Sequence, residues 1–194
     1  MMLTLAHAVF KGLLKLLYFA RYKNRGNIPA GGVLICSNHT SLFDPLFLIG
    51  ARPVGQVPHI MAKKELFKNR LFGAFLRWAR VFPVDRGAAD IAAIKKSLGL
   101  LRAGKKLIIF PEGTRTDGPG LTEAKHGAVV LAVRARVPVL PAHVTVGRKF
   151  PFRPIKVIFG EPYMIDFQGA KPTPDDYARE ADELMNRVYA LGKR

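Results

Sequence analysis

A single cysteine, Cys36, is all that 194 residues contain. That excludes an internal disulfide and a cysteine-rich zinc site, and the thiol, set in an apolar run, reads as a small core residue. Acidic residues are scarce as well: 14 Asp and Glu face 31 Lys and Arg, a formal net charge of +17. The shortage is uneven. Residues 1–160 hold 26 Lys and Arg against 7 acids, whereas residues 161–194 hold 5 against 7. A basic body of this size points to anionic partners: phosphorylated ligands, nucleic acid or an acidic membrane surface. Long apolar runs are also lacking. No stretch approaches the ~20 residues of a spanning helix, and no basic segment with a small-residue cleavage site marks a signal peptide. Repeats, low-complexity tracts and linkers are absent too, and the length suits one domain with a core of its own.

The N-terminal segment is apolar but broken. Thr4, His7, Lys11 and Lys15 recur every three or four residues, and Leu3, Leu5, Val9, Phe10, Leu13 and Leu17 fill most of the rest. A helix with a narrow basic stripe and a wide apolar face suits a membrane interface, although a helix packed on the domain's own core would show the same pattern. We take residues 1–25 as this helix and 26–194 as the domain. From Gly26 onward, short apolar runs alternate with helical patterns. Strands are expected at Val33–Cys36, Val57–Met61, Val81–Val84, Leu107–Phe110, Val137–Leu140 and Ile155–Phe159. Helices are expected at Pro45–Ala51, Glu65–Ala79, Ala88–Ala103, Lys125–Arg136 and Pro174–Leu191. Gly104 is placed as a C-cap, and Thr173 as an N-cap before Pro174. The alternation implies a layered α/β/α domain with a largely parallel or mixed sheet, whose ligands gather where strands end.

Four segments carry chemistry. Asn38-His39-Thr40-Ser41-Leu42-Phe43-Asp44 places an imidazole and a carboxylate five residues apart after a strand. On one helix the two would face different ways, so they meet only if the chain turns between them, with Pro45 opening the next helix. Meeting, they make a general base and the acid that orients it. Phe110-Pro111-Glu112-Gly113-Thr114-Arg115 follows another strand and offers a flexible turn, a hydroxyl and a guanidinium suited to phosphate. A strand-to-loop turn with a surface Glu–Arg pair has the same letters. Val84-Asp85-Arg86 closes a third apolar run, and by itself it is as much a surface ion pair as a site. The prolines of Val137-Pro138-Val139-Leu140-Pro141 suit a stiff strand near a sheet edge.

In this order the four segments resemble the blocks of the glycerolipid acyltransferase family, the 1-acyl-glycerol-3-phosphate acyltransferases. N-H-x-S-x-x-D matches residues 38–44, an apolar run closing on Asp-Arg matches Val84-Asp85-Arg86, F-P-E-G-T-R matches 110–115, and V-P-[IV]-x-P matches 137–141. Ala62-Lys63-Lys64-Glu65-Leu66 is similar to the family's A-K-x-E-L segment, and the likeness covers about residues 30–145. One departure is Ala124 before Lys125-His126-Gly127, where many relatives carry an aromatic residue.

The resemblance implies transfer of a fatty acyl group from a thioester to a glycerol hydroxyl. His39 is implied as general base and Asp44 as its orienting acid. Arg86, Glu112, Gly113, Thr114, Arg115 and Lys63 are implied as substrate-binding residues, those of the 110–115 block and Arg86 holding the acceptor's phosphate and glycerol. No metal or cofactor is implied; the acyl donor is acyl-coenzyme A or acyl carrier protein. With no G-x-S-x-G elbow and Cys36 placed in the core, direct attack on the thioester is expected, and Ser41 reads as a loop hydroxyl. Lys63–Phe82 and Arg148–Arg153 interleave basic and aromatic residues, as suits an anionic membrane. The expected location is peripheral, on the cytoplasmic face of the cell membrane, with no nucleic-acid partner. Glycerol-3-phosphate and lyso-ornithine lipid are alternative acceptors. A non-catalytic binder of nucleic acid or anionic lipid is the alternative of another class, and it leaves His39, Asp44 and the 110–115 block unexplained.

Overall fold

A computed structural model of the chain describes residues 19–51, 57–85, 90–115, 125–147, 154–167 and 171–193, with Leu5, Ala8, Val9 and Gly12 before them. The amphipathic helix expected over residues 1–25 therefore lies mostly outside the described residues, as does the 148–153 segment. The last residues of the 1–25 segment do not continue a helix: Arg21–Lys23 forms strand β1, paired with a strand near the C-terminus, and a short 3-10 turn follows at Arg25–Asn27.

Six further strands follow: β2 (Val33–Ser37), β3 (His59–Lys63), β4 (Val81–Val84), β5 (Lys106–Ile109), β6 (Val139–Val146) and β7 (Ile155–Phe159). Helices alternate with them: α1 (Asp44–Gly50), α2 (Arg70–Trp78), α3 (Ile91–Arg102), α4 (Gly127–Ala135) and α5 (Pro174–Gly192). The strands make one sheet in the order β1-β7-β6-β2-β5-β3-β4, parallel throughout except between β6 and β7. β2 is buried along its whole length, as a central parallel strand covered on both faces must be, which explains its unbroken apolar run.

Alternate residues of β2 feed two cores. Leu34 and Cys36 join Leu101, Leu131 and Leu184 on the face covered by α3, α4 and α5. Val33 and Ile35 join Phe47 and Leu48 of α1, with Leu140 and Phe159, on the other. Cys36 is fully buried and burial drives its thiol far up, so it sits as an inert core residue.

The caps act where expected. Gly104 adopts a left-handed φ of 72°, and the Lys105 and Gly104 amides close back onto Leu100 and Leu101, a Schellman motif. Thr173 and Asp176 form a reciprocal capping box at the start of α5. At Gly32 the strand passes so close to α3 that a Cβ would strike the Leu101 carbonyl. Two expectations are corrected. The helix placed at Glu65–Ala79 is two pieces, a 3-10 turn over Lys64–Phe67 and then α2, because Asn69 turns extended and its side chain caps Phe72 N–H. The Pro-flanked strand β6 is interior, not near an edge. Pairing with β7 begins at Ala142↔Phe159, so Pro141 lies at the end of that ladder and offers only its carbonyl, to Gly160 N–H.

β2 and β5 are neighbours, yet their chains leave in opposite directions. From β2 the chain goes by α1, on one face, to β3; from β5 it goes by α4, on the other face, to β6. A crevice opens at such a switch point, outside the C-terminal ends of the strands.

Candidate active site

The loops that leave β2 and β5 meet in that crevice. Asn38 anchors the first: it is buried, donates from Nδ2 to the Val144 carbonyl and accepts Val144 N–H at Oδ1, both at hydrogen-bond distance. This two-way clasp joins the end of β2 to β6 and leaves His39 as the first residue free of the sheet. The chain then turns through Thr40–Phe43 into α1, with Ser41 Oγ accepting Phe43 N–H as a loop hydroxyl does.

Asp44, in the first turn of α1, is completely buried and looks back into the loop. Its Oδ2 accepts the Thr40 and Ser41 amides, each at 2.7 Å, and faces His39 Nδ1 at 3.1 Å. Two backbone donors and the start of α1 thus surround this oxygen. With the carboxylate at Nδ1, that nitrogen carries the ring proton and Nε2 keeps its lone pair. The ring is held on its face as well, stacked on Phe110 with centroids 4.2 Å apart.

The second loop supplies what lies under His39. Glu112 is buried, and its Oε2 accepts the His39 backbone N–H at 3.0 Å. Its other oxygen, Oε1, accepts the hydroxyl of Tyr189 on α5. Both carboxylate oxygens thus meet protein donors, and the residue expected to touch substrate is built into the floor. Gly113 turns with φ 69°, and a Cβ there would come within 2.9 Å of Cε of Lys125, whose side chain lies across it. Thr114 and Arg115 are exposed at the end of the loop. Lys63 is exposed and its ammonium lies 3.8 Å from Glu65, while Lys64 pairs with Asp85. Arg86 lies outside the described residues.

Beside this loop a cavity of about 430 Å³ runs between α3 and α4. Met61, Val84, Ile94, Ile109 and Leu131 form apolar walls, and Phe110, which stacks on His39, stands at the same cavity. Its size is that of a small-molecule pocket. Lys125 and Gly113 also line it, as do the polar residues Asp85, Asp90, Ser97 and Arg134.

A family model described as Acyltransferase matches residues 20–145, which takes in both loops. This chain belongs to the acyltransferase family. Among similar proteins, a 1-acyl-sn-glycerol-3-phosphate acyltransferase of Bacillus subtilis is 36% identical over 175 residues, covering 87% of this acyltransferase and 85% of the relative. One of Streptococcus pneumoniae is 33% identical over 147 residues, covering 72% and 54%. The acyltransferase also shares the fold of the crystal structure of the 1-acyl-sn-glycerophosphate (LPA) acyltransferase PlsC from Thermotoga maritima. That likeness has a TM-score of 0.72 and 23% identity, over 98% of this chain and 80% of the other.

Within the acyltransferase, His39, Asp44, Glu112 and Gly113 converge on one point, and Thr114 and Arg115 stand at its rim. Two residues outside the expected set join them. Lys125 could have been noticed from its place after the loop and before a helix. Tyr189 could not: it is one aromatic residue of a long amphipathic helix, 77 positions from Glu112.

Proposed function

We propose that this acyltransferase moves a fatty acyl group from a thioester donor to the free hydroxyl of 1-acyl-glycerol-3-phosphate, giving phosphatidic acid. The observation that carries the reading is the His39–Asp44 pair at 3.1 Å, which leaves Nε2 of His39 as the base. Nε2 takes the acceptor's hydroxyl proton as the oxygen attacks the thioester carbonyl carbon. The C–O bond forms, the C–S bond breaks, and the leaving thiolate recovers the proton from the imidazolium that Asp44 stabilises. No acyl-enzyme is needed, since Ser41 is engaged in its own turn and Cys36 is sealed in the core.

Arg115, Thr114 and Lys125 are the groups at the rim suited to the acceptor phosphate, with Arg86 the further candidate by its place in the motif. Lys63 is a more distant candidate, for the charged donor. The apolar cavity beside Phe110 fits an acyl chain, whose carbonyl end would then lie near His39. Acyl-coenzyme A and acyl carrier protein both suit the basic surface as donors.

The acceptor is a lipid, so the domain, which β1 extends back to Arg21, is proposed to work as a peripheral protein at an anionic membrane surface, on the cytoplasmic face, with the amphipathic segment before it lying in the interface. Among the described residues no helix is long and apolar enough to cross a membrane. The exposed apolar and basic residues of α2 support surface contact, as does the net charge of +17.

The test is direct. Purified protein with labelled acyl thioester and 1-acyl-glycerol-3-phosphate should make phosphatidic acid, and His39→Ala should abolish the product while keeping the wild-type circular dichroism. Equal rates in the two proteins reject His39 as base. Absence of product with any lysolipid, alongside retention on anionic vesicles, would favour a non-catalytic lipid binder.

A further inference from the structure

Glu112 is buried, and the protein meets its carboxyl group on both sides. Its Oε2 takes the His39 amide and its Oε1 takes the Tyr189 hydroxyl. The three groups come from distant parts of the chain: the loop after β2, the loop after β5 and the last turns of α5. We infer that Tyr189 is a positioning residue for the acyl-transfer reaction. It acts through Glu112 on the backbone of His39, and so sets where the base stands. The inference rests on the reading of His39 as general base given above.

The physical argument begins with what each bond restrains. Asp44 fixes the rotation of the imidazole by holding Nδ1, but from the first turn of α1 it reaches the ring and the Thr40 and Ser41 amides, not the amide of His39. Asn38 fixes the residue before His39 to β6. Glu112 is the described contact that ties the His39 backbone to the neighbouring loop, on which the phosphate-suited residues stand. A carboxylate on a short stem has several rotamers, and a single amide donor leaves it free to swing about that bond. The Tyr189 hydroxyl removes this freedom, because it arrives on a rigid helix from the opposite side. The helix itself is well anchored. Leu184 and Val188 of α5 are fully buried, and the His143 ring packs edge-on to Tyr189 with centroids 6.0 Å apart. Gly192 lies directly against that ring, where a Cβ would collide with it. So the C-terminal helix and β6 make a frame, and the Tyr189 hydroxyl transmits its position to the catalytic loop.

Tyr189→Phe keeps the ring and its packing and removes only the hydroxyl. Loss of a hydrogen bond to a buried carboxyl group should lower kcat by about tenfold, with KM for acceptor and donor each held within about twofold. Thermal stability of the variant, measured beside it, shows whether the helix has loosened. Glu112→Gln should give a similar loss, and the double variant should be no slower than the worse single one, because both act through one contact. Amide hydrogen exchange at His39 should quicken in Tyr189→Phe, a reading that needs no substrate. An unchanged kcat and an unchanged His39 amide overturn the inference. So does a loss confined to the acceptor KM, which would make Tyr189 a substrate contact, and so do strictly additive losses in the double variant. Failure of wild-type protein to acylate any lysolipid would instead strike the reading of the reaction, and the His39 amide would still decide the role of Tyr189.

Discussion

At the scale of single residues, Asp44 has two tasks that ordinary mutagenesis confounds. Its Oδ2 orients His39, and the same atom gathers the Thr40 and Ser41 amides that shape the loop. Asp44→Asn retains the shape but offers a neutral oxygen, and an amide group where a donor already points. The expected result is a fall in kcat on the order of 10³–10⁴-fold, from a wrongly held ring tautomer, together with about 1–3 kcal/mol of lost stability. Steady-state kinetics and urea unfolding on the same preparation measure the two. A variant that keeps wild-type kcat would remove Asp44 from the mechanism. The His39–Asp44 meeting was legible in the letters, since a gap of five with a following proline can only be bridged by a turn. The second ring restraint, stacking on Phe110, was not legible, because it depends on which strand lies beside β2.

At the scale of elements, α2 is the outlier. Of its nine residues only Gly73 is buried, and Leu71 is 85% exposed with Phe72, Phe75 and Trp78 open beside it. Arg70 and Arg77 flank this face and the helix has no acidic residue. A helix so poorly covered by its own domain gains little from packing, and interfacial burial of each large apolar side chain is worth about 1.5–3 kcal/mol. Leu71→Glu with Phe75→Glu should weaken binding to vesicles rich in anionic lipid by about tenfold or more, and wild-type binding should fall as salt rises. Sedimentation with vesicles reads both. Binding that is indifferent to these substitutions and to salt would place the membrane contact elsewhere in the chain. The sequence pattern announced an amphipathic segment here but not whether its apolar face turned inward. The cause is geometric: β3 and β4 lie at one end of the sheet, so the helix joining them has little sheet left to cover.

At the scale of the whole molecule, two half-buried histidines link folding to pH. Burial, with Arg80, Lys96 and Lys105 nearby, lowers the pKa of His59 below the ordinary 6.5. Burial does the same for His143, partly opposed by the Val188 backbone and Asp44. In the unfolded chain both rings bind a proton near their ordinary value; folded, they bind it only at lower pH. Their contribution to stability is therefore complete above the unfolded pKa and is lost as pH falls through the folded one. The urea midpoint should drop between about pH 7.5 and about pH 5.5, the range in which histidines titrate, and His59→Gln should flatten that drop. The same slope in variant and wild type would assign the acid sensitivity to other groups.

The sequence by itself determined the order of strands and helices from β2 to α5, the caps at Gly104 and Thr173, and the two motif segments that meet at the crevice. These follow from local rules, periodicity, turn chemistry and spacing, that act within a few residues. Only the tertiary structure decided that β2 and β5 lie side by side at the switch point, and that β6 is interior despite its prolines. It alone put Glu112 beneath His39 and brought Tyr189 from the last helix to hold it. Those encounters join residues 73 and 77 positions apart, and no local preference encodes them. They arise from strand order and from the faces on which α1, α4 and α5 pack, which the chain settles only when both cores close.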